Sequence, residues 1–428
     1  MVKSIANCLA IFAIVMCHQV GLGQGLMTPG VGAVNRSMAG AATGNSVDSA
    51  GAMFFNPATL TGVDDNHIVW SIEVPFINEQ VSSSAFGSSG QTSAEVGIFP
   101  LATTAFVYRL ESLPEITLGL GMFSAGGLFG NYPADETNPI LSPPPPTGAG
   151  VGQAFNLLSL QQFTPTIAGQ ITERFSLGLS PIITLATLQL SPVSLVAPDD
   201  ANGDGTFSYP SAIGTHPHYG LGFQIGGYYT MESGLNLGFS YKSPNWLEKI
   251  KVNASDELGR PRALTFDLDL PPIYSLGMSY EGIPQWLIAA DVRYVDYESV
   301  AVLSDSGFNP DGSVRGVGWE SVWSLSLGLQ KEFSETCSVR IGWFTTEDPV
   351  PNAVAAFNIG SPAYYQHILS AGVSKRFTDF FSTHFTYYHS PKSEVSGPFV
   401  TPGGAIPNSN VTDSVDSHAI LMSLAFDY

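Results

Sequence analysis

The sequence predicts an all-β protein, a transmembrane antiparallel β-barrel of about fourteen strands with an N-terminal hatch in its lumen. Three observations predict it. After about residue 66, apolar and small polar residues alternate at period two, in runs of the ~9–11 residues that a tilted membrane strand needs. The connections between these runs alternate strictly between short turns and long loops. Only 12% of residues are charged, yet the mean hydropathy is just +0.15. A helical membrane protein would be more hydrophobic and a soluble domain more charged, whereas lipid-facing and lumen-facing residues in alternation give this intermediate value.

The chain opens on Met1-Val2-Lys3, then an apolar stretch from Ile5 to Met16. That stretch is too short to span a bilayer as a helix and carries the charge, apolar core and small residues (Gly21, Gly23) of a secretory signal. Residues 1–23 are therefore expected to be an export signal cleaved near Gly23/Gln24, and residues 24–65 and 66–428 the hatch and the barrel. Cys8 and Cys17 lie in the signal, so Cys337 would stand alone with no internal disulfide. No segment has eighteen uninterrupted apolar residues, so no transmembrane helix is expected.

Residues 30–58 read GVGAVNRSMAGAATGNSVDSAGAMFFNPA, rich in Gly and Ala with little strand periodicity. A small-residue segment ahead of a barrel has the composition of a plug. Its end, Asn56-Pro57-Ala58, is a rigid turn suited to pinning that plug to the wall, although an ordinary turn uses the same residues.

In the barrel, Trp323, Leu325, Leu327 and Leu329 share one face and Ser324, Ser326, Gly328 and Gln330 the other. The final run repeats this, with Ile420, Met422, Leu424, Phe426 and Tyr428 opposite Ala419, Ser423, Ala425 and Asp427. Short turns fall near Glu111–Pro114, Thr172–Arg174, Met231–Gly234, Gly282–Pro284, Phe333–Glu335 and Thr378–Asp379. Long loops fall near 77–92, 124–155, 190–215, 254–260, 298–316, 346–362 and 390–412. Short turns are periplasmic and long loops external in outer-membrane barrels, which places both termini in the periplasm. The aromatic Tyr428 on the last strand resembles an assembly signal read by the outer-membrane barrel assembly machinery. A single-chain barrel acting as a monomer in the cell outer membrane is expected.

Several stretches, in order along the mature chain, resemble the FadL/TodX family of outer-membrane transporters for long-chain fatty acids and hydrocarbons. They are the hatch, Phe123–Tyr132 (FSAGGLFGNY), Leu237–Ser243 (LGFSYKS), Leu270–Gly277 (LPPIYSLG), Ala289–Tyr297, and Arg340-Ile341-Gly342-Trp343 followed by Asp348-Pro349-Val350-Pro351. The resemblance implies a fourteen-stranded barrel in which an apolar ligand is captured at an outer groove and passed to an inner pocket. It further implies a hatch rearrangement and a gap at a kinked third strand, here Ser124, Gly126 and Gly127, through which the ligand leaves sideways into outer-membrane lipid.

Ligand-binding candidates are Met27, Arg36, Met38, Met53, Phe54, Phe55, Phe123, Leu128, Phe129 and Lys242. The methionines and phenylalanines either line an adaptable apolar pocket or pack the plug against the wall. A fatty carboxylate calls for a cation; Arg36, Lys242, Arg293 and Arg315 are the candidates, although Arg293 shares the polar face with Asp291 and is expected to form a lumenal ion pair with it rather than to meet a ligand. Asp200, Asn202 and Asp204 open a D-x-[DN]-x-[DN]-G pattern in loop 190–215, a candidate low-affinity Ca²⁺ site. Position twelve is Ser211 rather than a bidentate Glu, so an acidic turn is the other reading. No other cofactor is expected. The net charge of −20 argues against a nucleic-acid partner. Without a G-x-S-x-G elbow, a P-loop or an H-E-x-x-H motif, no enzyme is expected, and an outer-membrane lipid hydrolase is the one catalytic reading that stays open. The same strand pattern would also suit a small-solute porin, a loop-based adhesin or a secreted soluble β-protein.

Overall fold

The computed structural model describes residues 25–63, 66–144, 148–361 and 364–428; the expected signal segment lies outside them. Fourteen antiparallel strands form the wall: β1 His67–Ala85, β2 Leu101–Leu110, β3 Leu113–Tyr132, β4 Ala154–Thr172, β5 Phe175–Ser191, β6 His218–Thr230 and β7 Leu235–Lys242. They continue as β8 Ile273–Ile283, β9 Trp286–Val295, β10 Val322–Ser334, β11 Cys337–Thr346, β12 His367–Thr378, β13 Phe381–Gly397 and β14 Asn410–Asp427. Neighbours in sequence pair in turn, and β14 returns to β1 from His67↔Asp427 to Ser84↔Asn410, closing the sheet. Closure satisfies the backbone of the first and last strands, which a membrane requires.

The alternation read from the sequence becomes two faces. Trp323, Ile420 and Met422 point outwards and are exposed, while Ser324, Ser326, Ala419 and Ser423 are buried inside. Rings on successive strands form part of a girdle: Phe223, Tyr241, Tyr274, Tyr294 and Trp323 stand 6.0, 5.1, 6.3 and 4.9 Å apart. Amphipathic aromatic rings in such a band mark the level of a membrane interface.

The six short turns fall where expected. Three of the long loops begin later than expected. β1 continues to Ala85, β3 to Tyr132 and β13 to Gly397, replacing loop at 77–85, 124–132 and 390–397. There the apolar–polar alternation is interrupted, by Ser82-Ser83-Ser84 in β1, Gly126-Gly127 in β3 and Pro391-Lys392-Ser393 in β13, although the ladder persists. The loop expected at 254–260 is only the tip of 243–272, which carries its own hairpin, Ile250–Ser255 on Pro261–Phe266.

The hatch fills the lumen with two short helices, α1 Gly32–Ser37 and α2 Ser49–Phe55, and a 3₁₀ turn, Pro57–Gly62. Asp48 caps α2 by accepting from the Gly51 amide at 3.2 Å. The inward Ser and Thr side chains of the wall serve this irregular backbone. Thr386 donates to Ala33 O at 2.6 Å, Ser279 to Gly44 O at 2.7 Å, and Ser423 accepts from Ala33 N at 3.0 Å. A buried irregular segment has backbone groups that must be paired, and the small polar inner face pairs them.

Candidate functional site

Two buried ion pairs fasten the hatch. Arg36 meets Glu73 of β1 through two bonds, at 2.6 and 3.0 Å, and Tyr388 donates to the same carboxylate at 2.8 Å. Asp291 of β9 accepts from the Ala42 and Thr43 amides, both at 2.8 Å, and pairs with Arg293 at 2.9 Å. Arg293 also donates to Gly40 O. One carboxylate thus holds a hatch turn and a lumenal guanidinium together.

Asn56 forms a third tie. Its amide donates to Thr43 O at 2.7 Å and to Gly227 O of the wall at 3.1 Å, while its Oδ1 accepts from Ala58 N at 3.1 Å. Pro57, at the first position of the 3₁₀ turn, needs no donor there. Gly226 of β6 and Gly238 of β7 permit this approach, because a Cβ at either would overlap Asn56 Oδ1 or Thr43 O. Asn56→Ala removes three hydrogen bonds and strands Thr43 O and Ala58 N. At ~1 kcal/mol per bond plus the cost of unpaired groups, a loss of about 2–4 kcal/mol of hatch stability is expected. Protease sensitivity of residues 25–63 at unchanged barrel gel mobility measures it; a hatch as resistant as the wild type refutes it.

α2 ends on Phe54 and Phe55, and these rings build a cleft with Met27, Lys242, Arg293 and Ile273. Lys242 Nζ stands 3.9 Å from the centre of Phe54, and Arg293 Cζ stands 3.8 Å from the centre of Phe55. Phe123 of β3 packs on Phe54 at 5.3 Å. Lys242 is 5% exposed, and no carboxylate among the described residues pairs with its ammonium. The cleft holds about 10 Å³, room for one water, so anything larger must displace the two phenylalanines.

The wall beside this cleft is incomplete. β1 pairs with β2 only over His67–Glu73, and β2 pairs with β3 only as far as Phe123. Above that, 74–78 of β1 ladder with β14 alone, 124–132 of β3 ladder with β4 alone, and 94–100 pass between them without strand structure, tied at their start by Ala94 N to Glu79 O at 2.9 Å and Glu95 N to Asn131 O at 2.7 Å. The β3–β4 register shifts between Ser124 and Gly126, leaving Ala125 as an extra residue. The N-terminal segment covers this edge from inside: Met27 bridges Gly126, Thr28 N donates to Ala125 O at 3.0 Å, and Gly127 N donates to Leu26 O at 3.0 Å. Leu26 N in turn donates to the Tyr297 hydroxyl at 3.0 Å.

The sequence candidates therefore separate. Met27, Phe54, Phe55, Phe123 and Lys242 converge on the cleft. Arg36 is at the Glu73 pair, Met38 packs over Gly328 and Gly342, and Met53 packs against Gly119 and Leu60. Phe129 stands between Phe99 and Phe155, at 4.3 and 6.0 Å, and Leu128 packs on the core beside it, both in the upper half of β3. Arg315 lies in the loop after β9, where it bonds Gly307 O through its amide. Asp200, Asn202 and Asp204 take the amides of their own turn, with Gly205 N on Asp200 at 3.1 Å and Thr206 N on Asp204 at 2.7 Å. Among the described residues no cluster of three His, Cys, Asp or Glu gathers in metal-binding geometry. Glu73 was missed, although a lone acid in the apolar run Ile72-Glu73-Val74 signals a lumenal ion pair.

Residues 15–428 match the family of outer membrane protein transport proteins (OMPP1/FadL/TodX). The chain belongs to this family. Its members are transport proteins, which sets the soluble β-protein and the adhesin aside. Solved structures agree on the fold. A Pseudomonas aeruginosa FadL homologue is 16% identical with a TM-score of 0.73, covering 94% of this chain and 99% of its own. The Pseudomonas putida toluene transporter TodX is 16% identical with a TM-score of 0.70, over 95% and 100%. The Ralstonia pickettii toluene transporter TbuX is 17% identical with a TM-score of 0.66, over 94% and 99%. No curated protein matched the sequence.

Proposed function

We propose that this family member takes up apolar compounds that carry a carboxylate, of the long-chain fatty acid type, and releases them sideways into the outer membrane. The observation that carries the reading is Lys242, a buried ammonium that lies over the Phe54 ring and pairs with no carboxylate among the described residues, in a cleft closed by two rings of the hatch. A buried charge without a partner is costly, and an arriving carboxylate removes that cost. The apolar walls take the chain, which otherwise loses about 0.8 kcal/mol for each CH₂ left in water.

The exit follows from polarity. Below the hatch lies a cavity of about 260 Å³ in which Val34, Val63 and Val69 alternate with the charged Asp48, Arg340, Arg376 and Asp427, so an acyl chain there would lie against charged groups. Beside the cleft lies the unladdered wall between β1 and β3, flanked by Leu128 and Phe129. Export by a cleaved signal and assembly by the barrel machinery complete the expected route to the outer membrane.

Uptake of labelled oleate and of toluene by a strain lacking its own transporter tests the ligand class. Oleate uptake conferred by this chain supports the reading; sugar permeation without oleate uptake favours a porin. The gate has its own test. A Cβ at Gly126 would overlap Leu26 O, so Gly126→Ala displaces Leu26–Thr28 from the β3 edge. Faster entry of an apolar fluorescent probe is expected, and entry at the wild-type rate counts against a gating segment.

A further inference from the structure

At the outer end of the lumen two carboxylates are buried without a basic partner. Glu79 on β1 is 1% exposed and Asp413 on β14 is 0% exposed. Glu79 lies opposite Val415 and Asp413 opposite Val81, so the two acids are diagonal neighbours across the closing seam of the barrel. Their charges repel one another, and no Lys, Arg or His compensates either among the described residues. Tyr132 of β3 donates to Asp413 Oδ1 at 2.9 Å. Both oxygens of Glu79 are sealed from water and accept no hydrogen bond among the described residues, and Asp413 Oδ2 is equally sealed, with the Tyr364 hydroxyl as its nearest donor. The Tyr364 hydroxyl, from the loop after β11, lies against the same two acids.

Two ionised carboxylates this deep are untenable alone. A shared proton would need the acids in hydrogen-bond contact, and neither oxygen of Glu79 has a hydrogen-bond partner among the described residues. A bare cation fits the pattern better. Oxygens ~2.3–2.6 Å from a Ca²⁺ centre surround a space narrower than a water, so they are dry and yet have no donor.

We propose that Glu79 and Asp413, with the Tyr364 hydroxyl, bind a hard divalent cation of the Ca²⁺ type at the outer mouth. The ion fastens the β1–β14 seam to the loop after β11 and, through Tyr132, to the upper half of β3. Those are the segments around the unladdered wall. With few protein oxygens the affinity is modest, in the ~10⁻⁴–10⁻³ M range of extracellular Ca²⁺ modules. The site goes beyond the proposed ligand route and stands or falls separately from it.

The test uses full-length protein refolded in detergent, free of lipopolysaccharide, with melting followed in EDTA and in about 10 mM CaCl₂, ~10-fold above that range. The wild type is expected to melt several degrees higher in Ca²⁺ and to retain ⁴⁵Ca. Glu79→Gln with Asp413→Asn is expected to lose both the shift and the label. In EDTA that variant is expected to melt no lower than the wild type, because it removes the repulsion, and this separates a lost ligand from a damaged fold. Absence of any Ca²⁺ shift in the wild type overturns the site. So does a shift that survives in the double variant, or one lost instead in Asp200→Asn with Asp204→Asn.

Discussion

Asp291→Ala loosens the hatch while leaving the barrel closed. The substitution leaves Arg293 buried, 1% exposed, with its guanidinium uncompensated. It also removes the acceptor shared by Ala42 N and Thr43 N. Breaking one side of a buried pair costs about 3–5 kcal/mol, much of it the penalty on the abandoned charge. The strain falls on the hatch, because the ladders of β9 with β8 and β10 are untouched by the side chain. Single-channel recordings are therefore expected to show new ion conductance, and residues 25–63 to become protease-sensitive, at unchanged heat-modifiable mobility. Asp291→Asn should lie between, since it keeps an acceptor and loses the charge. A variant that conducts no more than the wild type removes Asp291 as a fastening of the plug.

Lys242→Met acts in opposite directions on the empty protein and on uptake. Without ligand it removes an unpaired buried ammonium while keeping a flexible apolar stem against Phe54, so the melting temperature is expected to hold or rise. With a carboxylate ligand it removes a charge-assisted bond of about 1.5–3 kcal/mol, a roughly 10–150-fold loss of affinity. Oleate binding should fall by that factor and toluene binding should not. Equal losses for both ligands would make Lys242 a packing residue and take the carboxylate out of the proposed function. A fall in melting temperature would show that the ammonium is paired in the empty protein.

These two residues also show where sequence reading succeeds. Asp291 and Arg293 sit two apart on one strand, so period two places both on the lumenal face, and their ion pair was legible. Lys242 ends a strand and was legible as a lumenal cation, but nothing local sets it over Phe54, nearly two hundred positions earlier. Met38 and Met53 were indistinguishable from Met27 by type and neighbourhood. Only the docked hatch separates them: Met38, just after α1, and Met53, within α2, pack against wall glycines, while Met27, on the segment bridged to Gly126, enters the cleft. The helices themselves were hidden, because their Gly and Ala give no apolar stripe, and although Asp48 is a start signal for α2, α1 has no capping side chain.

The sequence by itself determined the strand number, the inside and outside of the wall, the short-turn and long-loop ends, and the presence of a plug. Those follow from local patterns, since a strand shows its period and a turn its residues within a few positions. The tertiary structure decided which of those residues meet. It brought Phe54, Phe55 and Lys242 together, laid Met27 on the bulge of β3, left 74–78 of β1 without a second strand neighbour, and set Glu79 beside Asp413 across the seam. Barrel closure and hatch docking join positions hundreds of residues apart, and their register is fixed by the whole ring of strands at once rather than by any one segment.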